Sequence, residues 1–161
     1  MMPGVPDVYQ GCEVVNLSLV DPDNRRPVDF AAVRDRLARL DRGEKPVDLD
    51  DEKLLVTATS LRLRRECPQW FTGPSSGYTP LATSTGNAVA FGRGDGSGTQ
   101  VVAVATRLPV ALERHGGWGG HAVSLPDGQW RDELTTATHP GGSVLLADLL
   151  TELPVALLTR V

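Results

Sequence analysis

The hydrophobic pattern changes period once along this chain, near residue 67, and that change limits the fold more than any other feature. Before it, apolar residues recur every three or four positions. Phe30, Val33, Leu37 and Leu40 line one face while Arg34, Arg36 and Arg39 fall off it, which predicts an amphipathic helix. Asp29 stands where an N-cap belongs, and Arg42-Gly43 closes the segment. A second helix is predicted from Asp50 or Asp51 to about Glu66, with Leu54, Leu55, Ala58 and Leu61 on its face. Its acids come first and its arginines last, as the helix dipole favours. From Gln69 onward glycine and β-branched residues rise and charges thin out. Strand-like runs at 88–93 and 100–106 flank a glycine-rich turn at 94–98. Two more, at 121–125 and 129–134, flank Pro126-Asp127-Gly128. Further strands are expected at 143–146 and 155–161, with a short helical turn at 146–152. The expected class is α+β, its second part an antiparallel β-sandwich.

Composition removes several kinds of partner. A formal net charge of −4 and the absence of a long Lys/Arg run argue against nucleic acid. Arg62, Arg64 and Arg65 are the densest basic spot, and Glu66 dilutes it. No apolar stretch reaches the ~18 residues of a membrane span, and no basic-then-apolar leader opens the chain. Cys12 and Cys67 lie outside any C-x-x-C spacing, which excludes a disulfide framework and favours a reduced compartment. The expectation is a soluble, cytoplasmic protein without nucleic-acid or membrane partners.

Residues 1–28 carry the most distinctive chemistry. Prolines at 3, 6, 22 and 27 and two polar clusters predict mostly loop, with at best a weak extended piece at 14–20. In the run Asp21 to Pro27, Asp23 can accept and Arg25 and Arg26 can donate hydrogen bonds, which suits the hydroxyls of a neutral sugar. An Asp–Arg network that merely stiffens the loop is the equally weighted alternative. PGVPDVYQGCE (3–13) followed by SLVDPDNRRPVDF (18–30) resembles the end of the catalytic barrel of the maltooligosyltrehalose synthases, in the α-amylase clan. LRLRRE (61–66), LPDGQWRD (125–132) and LPVALL (153–158) are similar to that family's C-terminal region, so the resemblance spans the chain.

The resemblance implies a C-terminal fragment. Residues 1–66 would be the remnant of the catalytic (β/α)8 barrel, comprising its last strand, a rim loop and two helices; 67–161 would be the C-terminal β-sandwich. A complete barrel needs ~250 residues, so the rest of the barrel is the implied missing partner. The implied reaction is an intramolecular transglycosylation that turns the reducing-end α-1,4 bond of a maltooligosaccharide into an α,α-1,1 (trehalose) bond. By resemblance the catalytic carboxylates lie on barrel strands upstream of residue 3. No catalytic residue is therefore expected here, and the chain alone should be inactive. Candidate substrate contacts are Asp23, Arg25 and Arg26 in the rim loop, and Tyr9, Gln10 and Glu13 at the end of the eighth barrel strand. For the last three, strand-end packing is a competing role. Helices and a strand cut from their barrel should leave Val5, Val8, Phe30 and Leu37 without partners.

Other motifs read as structure. His115 and His121 stand six apart across four glycines with no Cys or carboxylate at ligand spacing, so no metal is implied. The glycines at 92, 94, 96 and 98 lack a phosphate loop's ending, and no cofactor is implied. Trp130 is expected in the core, whereas Trp118, in the glycine loop, is the candidate exposed platform for a sugar ring. Exposed aromatics on a sandwich would support the alternative function, a non-catalytic α-glucan-binding or interaction module.

Overall fold

The computed structural model describes residues 1–18 and 25–161. Two compact units emerge: Gly4–Arg62, and Met1–Pro3 together with Leu63–Val161.

The first unit contains helix α1 (Phe30–Asp41) and most of helix α2 (Leu49–Glu66). Asp29 caps α1 as its sequence position predicts, its carboxylate accepting from the Ala31 and Ala32 amides. Gly43 then leaves the helix with φ +84, a conformation suited to glycine. The two helices are joined mainly by charge. Asp51, fully buried, accepts from Arg36 and Arg39 at 2.7 Å each and from the Val47 amide at 3.2 Å. Burial pushes the Asp51 carboxyl up, but the hydrogen bonds from Arg39, Arg36 and Val47 outweigh it and hold the pKa below the ordinary value. Arg62 grips Asp41 through both terminal guanidinium nitrogens, Nη1 and Nη2. Among the described hydrophobic residues of this unit, only Leu40 and Leu54 are buried. Phe30 is 50% exposed and Val5 94%, in keeping with an apolar face that lacks its partner. Residues 4–18 form no strand, so the expected last barrel strand has no counterpart there. Pro6 removes a donor, and Gly11 at φ +81 turns the chain where a ladder would run.

The second unit is built on six strands: β1 (Gly77–Leu81), β2 (Ala88–Asp95), β3 (Gly98–Thr106), β4 (Ala122–Asp132), β5 (Thr138–Leu145) and β6 (Val155–Arg160). Short helices α3 (Pro109–Arg114) and α4 (Leu146–Leu149) lie between them. The sequence predicts a sandwich; the strands instead form one antiparallel sheet in the order β1-β2-β3-β6-β4-β5. The reason is β6, whose two edges pair with β3 and β4 and so join the hairpins that would otherwise be separate layers. The sheet curls until Thr83, just after β1, bridges to Val123 of β4, with Ser84 N donating to Ala122 O and Ser124 N to Ala82 O. This half-barrel wraps a core of Ala90, Val102, Val104, Val123, Trp130, Leu146 and Leu158. The indole of Trp130, fully buried, donates to Pro126 O.

A second correction concerns 126–128. These residues do not turn between two strands but form a bulge within β4, where the register shifts between Leu125 and Gln129. The bulge crowds Gly141 of β5, where a Cβ would come within 2.5 Å of Pro126 O. Asp132, at the end of β4, is 1% exposed and accepts from Leu134 N, Thr135 Oγ1 and Leu157 N. It ties the β4 terminus to β6.

Candidate functional site

The site expected from sequence comprises Tyr9, Gln10 and Glu13 and the run Asp21 to Pro27, of which residues 21–24 lie outside the described residues. The turn at Tyr9–Cys12 is closed by Cys12 N donating to Tyr9 O at 3.0 Å. Gly11 is buried under Val28: a Cβ there would stand 2.9 Å from Val28 Cγ2, and φ is +81. Only glycine lets these two stretches approach so closely. The loop is then moored to α2, where Lys53 Nζ donates to Val14 O and the Val15 amide donates to Asp50 Oδ1, both at 2.8 Å.

Together these stretches enclose a cleft of about 250 Å³ whose polar lining includes Gln10, Asn16, Ser18 and Arg26. Asn16 Oδ1 accepts from the Ser18 amide at 2.8 Å. Among the described residues the polar lining supplies two amides, a hydroxyl and a guanidinium, and no carboxylate. Such a set offers donors and acceptors to a neutral, hydroxyl-rich ligand. Its volume is below the ~300 Å³ of a small drug-sized pocket.

Of the six expected contacts, Gln10 and Arg26 are brought to this cleft. Tyr9 is 48% exposed and, with Arg25 and Glu13, lies off its lining. Glu13 is distinctive in another way, because its Oε2 is buried and has no hydrogen-bond partner among the described residues. Asp23 lies outside the described residues. Asn16 and Ser18 are lining residues that sequence reasoning passed over. The available signal was their i, i+2 spacing, which suits an Asx-type turn.

The remaining motifs resolve as structure. Trp118 is half-buried against the main core, contrary to the exposed platform expected of it. His121 Nδ1 lies 3.2 Å from Ser84 Oγ, and His115 ends α3. No three metal-binding side chains converge among the described residues, and no helix there is long and apolar enough to cross a membrane. Asp132 alone among the described carboxylates has a clearly raised pKa, caused by burial, and it accepts from the Leu134 and Leu157 amides.

Fold and site thus define an α+β chain with a polar loop cleft and, among the described residues, no pair of carboxylates tuned for acid–base work. No family model matches it. A Mycobacterium tuberculosis protein described as a maltooligosyl trehalose synthase is 41% identical over 162 residues, covering 99% of this chain and 19% of the relative. The solved maltooligosyltrehalose synthase of Arthrobacter ramosus is 44% identical with a TM-score of 0.88, covering 99% of this chain and 20% of that one. A solved glycosyltrehalose synthase is 28% identical with a TM-score of 0.70 and is covered over 19% of its length. The chain is homologous to a segment of maltooligosyltrehalose synthase, and spans about one fifth of the length of these relatives.

Proposed function

We propose that the chain acts as the C-terminal part of an intramolecular glucosylmutase that converts the reducing-end α-1,4 linkage of a maltooligosaccharide into an α,α-1,1 linkage. The observation that carries this reading is the 44% identity over 99% of the chain, at a TM-score of 0.88, to a segment of the Arthrobacter ramosus synthase. In this reading residues 1–66 belong to the catalytic barrel and 67–161 form the domain that follows it. The catalytic carboxylates come from polypeptide outside this chain. A glycosyl-enzyme forms as the terminal α-1,4 bond breaks, and the released glucose is held while its anomeric hydroxyl attacks the same carbon. Water must be excluded during that interval, or the outcome is hydrolysis.

Within this chain, Gln10, Asn16, Ser18 and Arg26 supply hydrogen bonds that hold the released sugar, and Asp23, Arg25, Tyr9 and Glu13 brace or extend that surface. The site needs no metal or organic cofactor for this role. A free-standing glucan-binding module draws less support, since Trp130 is in the core and Trp118 packs against it.

The test is a chimera in which this chain replaces the homologous segment of the Arthrobacter ramosus synthase, assayed with maltopentaose beside the chain alone. The expected result is loss of reducing ends without free glucose for the chimera, and no conversion by the isolated chain. A folded chimera that binds maltopentaose but leaves its reducing ends intact would refute the assignment. Turnover by the chain alone would show that the carboxylates need not come from elsewhere.

A further inference from the structure

Two residues of α2 close on a single peptide group of the cleft loop. In the peptide joining Val14 to Val15, Val14 O accepts from Lys53 Nζ and Val15 N donates to Asp50 Oδ1, both at 2.8 Å. Asp50 and Lys53 stand three apart in the helix, so they are neighbours on one face of it. A trans peptide points its C=O and N–H in opposite directions, and an acceptor and a donor spaced i, i+3 match that span. Each bond has one ionised partner, which makes it roughly twice as strong as a neutral one. A longer contact holds the acid from the other side, where Asp50 Oδ2 lies 3.8 Å from Arg36 Nη2 of α1. All of these residues belong to the helical unit, as do the described residues that line the cleft.

One hydrogen bond fixes a point, whereas two to the same peptide also fix its orientation. Val15 opens the run 15–18 on the cleft lining, and Asn16 Oδ1 then accepts from the Ser18 amide at 2.8 Å. The direction of the Val14–Val15 peptide therefore carries into the places of the Asn16 amide and the Ser18 hydroxyl. The opposite part of the lining is set separately, where Gly11 packs under Val28. A lining that must be ordered when its ligand arrives loses affinity to that ordering, and one already ordered does not. We propose that Asp50 and Lys53 are positioning residues for the cleft: acting through the Val14–Val15 peptide, they set how Asn16 and Ser18 face a sugar hydroxyl. The consequence for the sugar rests on the proposed function; the ordering of residues 15–18 does not.

The experiment is ¹⁵N relaxation on the full chain, comparing the parent with Asp50→Ala, Lys53→Met and Asp50→Asn. In the parent, order parameters at Val15, Asn16 and Ser18 should approach the rigid value of ~0.85, and in Asp50→Ala and Lys53→Met they should fall below ~0.6. The first truncation removes a negative charge and the second a positive one, so a shared loss comes from the peptide they hold in common and not from net charge. Asp50→Asn keeps an oxygen for the Val15 amide and should retain the parent's order. The amides of Leu37, Leu40 and Leu54 should be unchanged in all three. Equal order in the parent and either truncation would overturn the proposal, as would a parent value already below ~0.6. Loss of order across α1 and α2 in both truncations would mark a structural role and overturn it too. In a chimera with the Arthrobacter ramosus synthase, both truncations should raise free glucose relative to isomerised product by about two- to tenfold, the factor of one misplaced hydrogen bond, while Asp50→Asn matches the parent. An unchanged ratio from active truncated chimeras would overturn the positioning role. A parent chimera that makes no isomerised product would sink the proposed function alone, and the relaxation data would then decide this inference.

Discussion

Asp132 allows a sharp test of how the half-barrel is held together. Its carboxylate is 1% exposed and has no cation among its hydrogen-bond partners, which are the Leu134 and Leu157 amides and the Thr135 hydroxyl. Truncation to alanine strands two backbone amides at the β4–β6 junction. Hydrogen bonds to a charged acceptor contribute about 1.5–3 kcal/mol each, but burying the charge offsets much of that sum. Asp132→Ala should therefore cost about 2–4 kcal/mol, or roughly 5–15 °C in Tm for a chain of this size. Asparagine keeps an oxygen for both amides and removes the buried charge, so Asp132→Asn should stay within about 1 kcal/mol of the parent at neutral pH. The pH dependence gives a second, independent reading. Burial raises the Asp132 pKa above its ordinary 3.8, the Leu134, Thr135 and Leu157 hydrogen bonds lowering it only in part. In the window above 3.8 the folded state then binds more protons than the unfolded state, and stability falls as pH rises through the folded pKa. Measured by intrinsic fluorescence, with Trp130 as the buried reporter, the parent should lose stability relative to Asp132→Asn between pH 4 and neutrality. Equal destabilisation by Asn and Ala at neutral pH, or a pH-independent difference between parent and Asp132→Asn, would refute this account.

The helical unit should respond with the opposite sign. Because the Asp51 pKa is lowered, its contribution is present above the ordinary 3.8 and is lost as pH falls below it, so far-UV circular dichroism should show helix loss on acidification that Asp51→Ala largely abolishes. Asp29→Ala removes the cap on Ala31 and Ala32 and should cost about 1 kcal/mol, seen as fraying of the first turn of α1 in amide exchange. At Gly94 an added Cβ would overlap Gly98 O, a backbone atom across the β2–β3 turn, so Gly94→Ala should abolish the dispersed amide spectrum of the sheet.

What the sequence made legible was local. Asp29, Gly43 and the apolar spacing of α1 announce that helix, and the structure runs it over Phe30–Asp41. Likewise the glycine turn between β2 and β3 falls where its residues require. Long-range pairing is less visible. Nothing in the alternation of Val155 to Arg160 says that both edges of β6 are occupied, yet that double pairing makes one curled sheet rather than two layers. In sequence the bulge at 126–128 reads as a turn because Pro-Asp-Gly suits either, and it is Gly141, fifteen or so residues on, that accommodates the bulge. In the cleft, the distinctive Gln10 and Arg26 were legible as polar residues in a proline-rich loop. Asn16 and Ser18 were not, because their role depends on the close approach of Gly11 to Val28.

The two units also rest on different physics, and the difference bears on function. Thirteen buried residues make the principal core of the sheet unit, enough apolar contact to fix a single arrangement. The helical unit buries Leu40 and Leu54, relies on Asp51 and its arginines, and leaves Phe30, Val47 and Leu49 half or more exposed. The ion pairs of a buried carboxylate leave only a modest net gain once its desolvation is counted, whereas each large apolar side chain left in water forgoes about 1.5–3 kcal/mol of burial. A unit balanced in this way gains most by packing against further polypeptide. That expectation agrees with a chain homologous to one fifth of a longer synthase, and it sits in the same unit as the cleft. Under the proposed function, the cleft's polar lining would act beside carboxylates supplied by polypeptide outside this chain.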